Sequence, residues 1–445
     1  MSKVEHVVVL MLENRSFDNV LGRLYPNSDG FDGLTMDEWN PWHRDGAVTR
    51  VPVWSSDASD PPSLPDKDPG EYFSDMTMQI YGLGGSGRPT MDGFVDNFMR
   101  QPEHDDRADP KEVMHTYHPD HLPATTLLAR QFGVSDRWFA SAPCETWPNR
   151  FFLHCGTAGG YVNNRRSRFP YRWPRTMPTI FRRLDRSGYA WRVYFHDLPQ
   201  AATLIDLWPK IPTHFDFFDP QFAQDAKAGR LPSYSFIEPR YYSSFRAQAL
   251  PNDQHPPHDV QDGEALVAAV YNILRGSPAW EQTLLIITYD EHGGCFDHVP
   301  PPAAVPPGGP YPDGFTFDRY GVRVPTILVS PYIPAGSVIR PPGDVPFDHC
   351  SVQATLHKLF DIGPPLTARA AAAPDVLPAL GLDTPANAGP ERIAVEAPTR
   401  HPDEIRAYRR RAHNHHQETL LGGGHGVPAL AAHAAARLRA VRHRG

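Results

Sequence analysis

A chain of 445 residues, 40% apolar and 21% charged, is neither a disordered polymer nor a membrane bundle. Its formal charge of −8 argues against nucleic acid as a partner. No stretch reaches the roughly 18–20 uninterrupted apolar residues of a transmembrane helix. The four cysteines form no C-x-x-C pair, so neither a zinc site nor a disulfide framework is expected.

In chain order, Met1-Ser-Lys leads at once into an apolar run from Val4 to Leu12 with no small-residue cleavage site behind it. The run therefore reads as a first strand and not as a secretory leader, and a cytoplasmic protein is expected. Its core, Val7 to Leu12, is continuous and β-branched, the pattern of a strand buried on both faces. Leu122 to Gln131 and Gly263 to Leu274 have helical spacing, and Thr283 to Tyr289 is a second buried-strand run. Val324 to Val329 is a third, with Pro325 near its start, and Ser351 to Phe360 reads as a helix capped by Ser351. Residues 364–397 form a Pro/Ala-rich arm, and Asp403 to His416 and Pro428 to Arg444 read as basic helices that either pack on the body or fray. Strands alternating with helices indicate an α/β fold with a mainly parallel sheet. The 49 prolines gather in long loops, which suggests a rigid scaffold carrying elaborate connections.

The chemistry is signalled at the ends of the buried strands. Glu13-Asn14 comes directly after the first and Asp290-Glu291 directly after the second. Ligands of open α/β sheets bind outside the carboxyl ends of the strands, so two acidic pairs there would form an oxygen-rich pocket for a divalent ion. Thr146-Trp147-Pro148-Asn149-Arg150 adds a hydroxyl that needs activation before it can attack, and an arginine able to fork onto a phosphate. His255, His298 and His349 lie in turn-rich surroundings and are candidates for handling a leaving group, in that order.

Several motifs, taken together, resemble the bacterial phospholipase C and acid phosphatase family of phosphoesterases from about Val4 to Gly363. They are Glu13-Asn14-Arg15-Ser16-Phe17-Asp18, Met91-Asp92-Gly93-Phe94, Thr146-x-Pro148-Asn149-Arg150, His255-Pro256-Pro257-x-Asp259-Val260 with Gly263-Glu264, Tyr289-Asp290-Glu291-His292-Gly293-Gly294 with Asp297-His298-Val299, Val324-Pro325, and Asp348-His349-x-Ser351. The resemblance implies an alkaline-phosphatase-like α/β sandwich whose mainly parallel central sheet is flanked by helices. It also implies one divalent ion (Ca, Mg, Mn or Zn) on Glu13, Asn14, Asp290, Glu291 and the nucleophile Thr146. His255, His298 and Arg150 would serve catalysis, and Asn149, His349 and Glu71 would contact the substrate, a small phosphate ester or phospholipid headgroup. The implied division is a catalytic domain over 1–363, the arm over 364–397 and a basic helical tail over 398–445. One departure stands out: Asp68-Pro69-Gly70-Glu71 is similar to a family stretch that ends in histidine. A carboxylate there repels phosphoryl oxygens, so either it binds a second cation or His115, His118 or His121 substitutes. This departure also motivates a second reading, a weakened relative that binds phosphate or lipid headgroups.

Overall fold

A strand that must satisfy all its backbone polar groups away from water needs a partner on each side. In the computed structural model, which describes residues 3–57, 59–102, 104, 108–164 and 177–422, the first apolar run is such a strand. It is β1 (His6–Leu12), buried from Val7 onward. The other strands of the sheet are β2 (Gly133–Ser135), β3 (Trp191–Phe195), β4 (Phe215–Phe217), β5 (Tyr234–Glu238), β6 (Thr283–Tyr289), β7 (Thr326–Val329) and β8 (Ser337–Val338). Among the described residues they form one eight-stranded sheet in the order β8-β2-β7-β6-β1-β5-β3-β4. The two longest apolar runs, β1 and β6, are neighbours in parallel at its centre.

The sheet is mainly parallel, as the alternation of elements indicates, but β7 runs against both its neighbours. A parallel return needs a crossover, usually a helix, and no helix lies between Tyr289 and Thr326 among the described residues. The connection instead loops over the carboxyl end of the sheet and comes back reversed.

The helices that matter here are α1 (Pro123–Gln131), α2 (Thr146–Cys155), α3 (Val260–Arg275), α4 (Cys350–Phe360), α5 (Pro402–Tyr408) and α6 (His415–Gly422). α1 and α3 fall on the expected segments. α4 begins one residue before Ser351, whose hydroxyl accepts from the Asp348 N–H at 3.2 Å from within the first turn and so is not the N-cap. The expected helix from Asp403 to His416 is two helices. The first stops at Tyr408, and Asn414 starts the second, its side-chain oxygen accepting the Gln417 N–H at 2.8 Å as an N-cap. The run from Pro428 to Arg444 lies outside the described residues. All four cysteines are free and buried, and among the described residues no helix is long and apolar enough to cross a membrane.

One packing contact uses a motif residue. Glu264 of α3 reaches the open N-terminus of α1, where its carboxylate accepts the Ala124 N–H at 2.6 Å, the Thr125 N–H at 3.0 Å and the Thr125 hydroxyl. It thus satisfies donors that the first turn leaves unpaired. Glu264→Ala is expected to cost about 2–4 kcal/mol by stranding these donors in a buried place, read as a lowered melting temperature. An unchanged melting temperature would refute the capping role.

Candidate active site

The parallel register pairs Leu12 with Tyr289, so the next residues along each strand, Glu13-Asn14 and Asp290-Glu291, emerge side by side. Asn14 turns the chain with φ of 53°, a left-handed conformation that asparagine tolerates. Its N–H donates to Asp290 Oδ1 at 3.0 Å, and the Arg15 N–H donates to the Glu291 carbonyl at 3.1 Å, which stitches the two tips together. Gly293 makes this approach possible: a Cβ there would sit 2.2 Å from the Asn14 carbonyl oxygen, at a φ of +58°.

Thr146 opens α2. Asn149 sets the preceding turn by donating to the carbonyls of Ala142 and Cys144 and accepting the Ala142 N–H at 3.1 Å. The Thr146 hydroxyl thereby lies 3.4 Å from both Glu13 Oε2 and Asn14 Oδ1. Glu13, Asn14, Thr146, Asp290 and Glu291 are all fully buried. The positive end of the α2 backbone dipole points at the same spot.

Three carboxylates cannot share a dry pocket without counter-charge. Arg150, one turn along α2 from Thr146, supplies part of it: Nε donates to Asp290 Oδ2 at 3.1 Å and a terminal nitrogen to Glu13 Oε1. The guanidinium thus grips the far oxygens and leaves Glu13 Oε2 on the Thr146 side. Burial still pushes the Glu13 carboxyl well above its usual range, and burial, Glu71 and Asp290 do the same to Glu291. Glu291 Oε1 has no hydrogen-bond partner. Excess buried negative charge, an orphaned carboxylate oxygen and oxygen donors throughout fit a divalent cation.

Beside this group stands a second layer. Glu71 accepts from Asn14 Nδ2 at 2.6 Å, which turns the Asn14 oxygen toward Thr146, and lies 3.1 Å from His255 Nε2. Asp68 is 3.7 Å from the other nitrogen of that ring. Burial alone would lower the His255 pKa, but Glu71 and Asp68 outweigh it and hold the ring well above its usual range. Donor atoms of Asp68, Glu71 and His255 lie within 4.8 Å of one another, close enough to share a cation. Neither His115, His118 nor His121 stands against Glu71. The His115 ring lies 3.5 Å from the Asn19 amide, His121 hydrogen-bonds to Ser56, and His118 pairs with Asp120. The imidazoles that do come here are His415, 3.4 Å from Glu71 Oε2 and 3.0 Å from Glu145 Oε1, and His416, 3.8 Å from Glu13 Oε2. Both belong to α6, and no local pattern distinguished them from other histidines of a basic tail.

The structure brings Glu13, Asn14, Glu71, Thr146, Arg150, His255, Asp290 and Glu291 together, but gives four of the expected residues other duties. Arg150 spends Nε and one terminal nitrogen on two carboxylates, and its other terminal nitrogen makes no hydrogen bond. Asn149 spends its amide on the turn before Thr146 and does not reach toward a substrate. His349 bonds the Asp290 backbone carbonyl through Nε2 at 2.6 Å, bracing a strand tip, and burial lowers its pKa. His298 joins Asp18 at 2.7 Å and Asp32 at 3.2 Å, in a network with Asp297. Arg323 lies 2.9 Å from both Asp18 and Asp297, so a guanidinium already fills the place of a cation there. Of the aromatics near the site, Trp147, Tyr289 and Phe296 are core, while Tyr72 is 48% exposed.

The chain matches the Phosphoesterase family over residues 4–363. It is 41% identical over 370 residues to non-specific phospholipase C1 of Arabidopsis thaliana, spanning 81% of this chain and 67% of that protein. Against phospholipase C B of Mycobacterium tuberculosis the identity is 30% over 416 residues, with coverage of 82% and 75%. A solved structure in the alkaline phosphatase superfamily from Vibrio parahaemolyticus aligns with a TM-score of 0.36 and 11% identity, over 86% of this chain and 70% of its own.

The His298 network carries a pH signature. Burial would lower the imidazole's pKa, but Asp18 and Asp32 raise it to about 10, and the His298 hydrogen bond holds Asp32 at about 2. A histidine raised above its unfolded value of about 6.5 contributes stability that is complete below that pH. The contribution fades as pH climbs through about 10. His298→Gln is expected to be less stable than wild type by roughly 2–4 kcal/mol near pH 6, with the gap narrowing toward pH 10. Melting temperatures of both proteins across that range check it, and a gap that widens with pH would contradict it.

Proposed function

The chain belongs to the Phosphoesterase family and is a hydrolase of phosphate esters; we propose that it acts on phospholipid headgroups or similar small esters, using Thr146 as nucleophile beside one divalent cation. The observation that carries this reading is the Thr146 hydroxyl set 3.4 Å from two oxygens of the fused strand tips. Glu13, Asn14, Asp290 and Glu291, with Thr146 itself, would hold the ion. Bound there, a divalent ion supplies Lewis-acid charge that lowers the pKa of a nearby hydroxyl and shields phosphoryl oxygens.

The rest falls to the chain's own residues. Thr146 Oγ gives up its proton and attacks phosphorus as the bond to the leaving alcohol breaks and that alcohol takes up a proton, giving phosphothreonine from a monoester or its headgroup diester from a phospholipid. Water then cleaves that ester and restores the hydroxyl. Arg150 fixes the two carboxylates that flank the nucleophile, and the α2 N-terminus favours the negative charge gathering on phosphorus-bound oxygens. His255, charged between Glu71 and Asp68, is placed to attract the phosphoryl group. A cavity of about 390 Å³ leads toward Glu71 from the surface, walled by Asp66 to Tyr72 on one side and Arg411 to His415 on the other. The Arabidopsis and mycobacterial relatives both carry phospholipase C in their names, which supports a phospholipid over a nucleotide.

Thr146→Ala is expected to lose at least about 1,000-fold in kcat/KM on a chromogenic aryl phosphate and on phosphatidylcholine. Chelation should abolish wild-type turnover and added divalent ion restore it, while brief acid quenching should trap phosphate on Thr146, visible as a mass shift of its peptide. Equal rates for Thr146→Ala and wild type would remove this residue from the mechanism.

A further inference from the structure

α6 delivers two imidazoles to the site, a half-buried His415 and a buried His416, that neither the attack on phosphorus nor the hydrolysis of phosphothreonine yet uses. The His416 ring faces the same oxygen, Glu13 Oε2, that the Thr146 hydroxyl faces, at 3.8 and 3.4 Å respectively. It is 1% exposed, and neither of its ring nitrogens makes a hydrogen bond. Buried imidazole nitrogens are normally satisfied, because an unmet donor or acceptor forfeits its hydration. Leaving both unmet beside a nucleophile is what a group awaiting a ligand looks like.

The surroundings of His416 are otherwise tied down, so the orphaned ring does not come from loose docking; among the described residues of α6 only His415 Nδ1 also lacks a hydrogen bond, and it faces carboxylates at 3.0 and 3.4 Å. Gln417 donates to the Tyr241 carbonyl at 2.6 Å, and its own carbonyl accepts the Tyr242 hydroxyl at 2.7 Å. The His415 N–H donates to Asp68 Oδ2 at 2.8 Å, while its ring sits between Glu71 and Glu145. His258, braced by Asp253 at 2.5 Å, meets the Tyr408 hydroxyl at 2.8 Å just before the helix. Leu420 is buried in the main core. A helix present merely to plug the pocket would turn apolar side chains inward at the nucleophile. This one turns a ring able to hydrogen-bond toward it and seats Leu420 elsewhere.

We propose that α6 is a working part of the active site: His416 donates a hydrogen bond to a phosphoryl oxygen of the ester attacked by Thr146, and His415 is the positioning residue that clamps the helix to Glu71 and Glu145. The proposal rests on Thr146 being the nucleophile and adds a substrate contact from a segment beyond the region matched by the family.

The test uses the full-length, metal-loaded protein. His416→Ala is expected to lose about 100-fold in kcat/KM on an aryl phosphate. Inhibition by orthovanadate, a phosphoryl mimic, should weaken at least about tenfold, with bound metal and melting temperature unchanged. His416→Gln, whose amide can still donate, should recover part of both losses. If His416→Ala melts early, His416→Gln decides. A stable glutamine variant with partial activity upholds the contact, whereas one that also melts early or loses metal makes His416 a packing residue or a ligand and overturns it. Rates for His416→Ala within about threefold of wild type, or above it, also overturn it, the latter by revealing a plug. Thr146→Ala is assayed alongside: if it is inactive while His416→Ala is normal, only the role of α6 fails, and if it is fully active, the underlying reading fails first.

Discussion

Everything in this site is organised by the problem of keeping three carboxyl groups dry and close together. Glu13, Asp290 and Glu291 are fully buried at the tips of two central strands, with one guanidinium for company. The parallel register forces the two tips to meet, so the charge crowding is a direct result of sheet geometry and not of a flexible loop. Neighbouring features are answers to that crowding. Arg150 bridges the two strands, a backbone amide from each strand tip binds Asp290, and Gly293 lets the second turn press against the first.

Much of this was legible in the sequence because the signal was local and repeated. An unbroken apolar run ending in an acidic pair can be read without neighbours, and two of them at strand ends imply one pocket by the rule for open α/β sheets. Thr146 could be read because proline and arginine come after it at fixed spacing. The same local logic singled out His298. A histidine near an acidic pair looks like a site residue, but sequence could not show that its ring meets Asp18 and Asp32, which lie far back along the chain. For Arg150 and Asn149 the motif gave proximity to the nucleophile but not the protein groups each side chain takes as partners. The antiparallel course of β7 was hidden for a related reason: strand direction is set by the connection, and the apolar run itself is silent about it.

His415 and His416 mark the opposite limit. Nothing in their composition or spacing distinguishes them, and they reach the site because one helix stops at Tyr408 and Asn414 caps a new one six residues on. Glu71 illustrates a milder version. Read alone, a carboxylate where a histidine is expected looks like damage, whereas in the fold it orients Asn14 and pairs with His255. Its meaning is supplied by partners from three distant segments.

The double grip of Arg150 also bears on the order in which the molecule is built. Because the guanidinium comes from the same chain and already partly neutralises Glu13 and Asp290, the two strand tips can close without waiting for a cation from outside. The chain thus brings its own counter-charge to the crowded tips, and any cation offered later meets a pocket whose two walls are already joined.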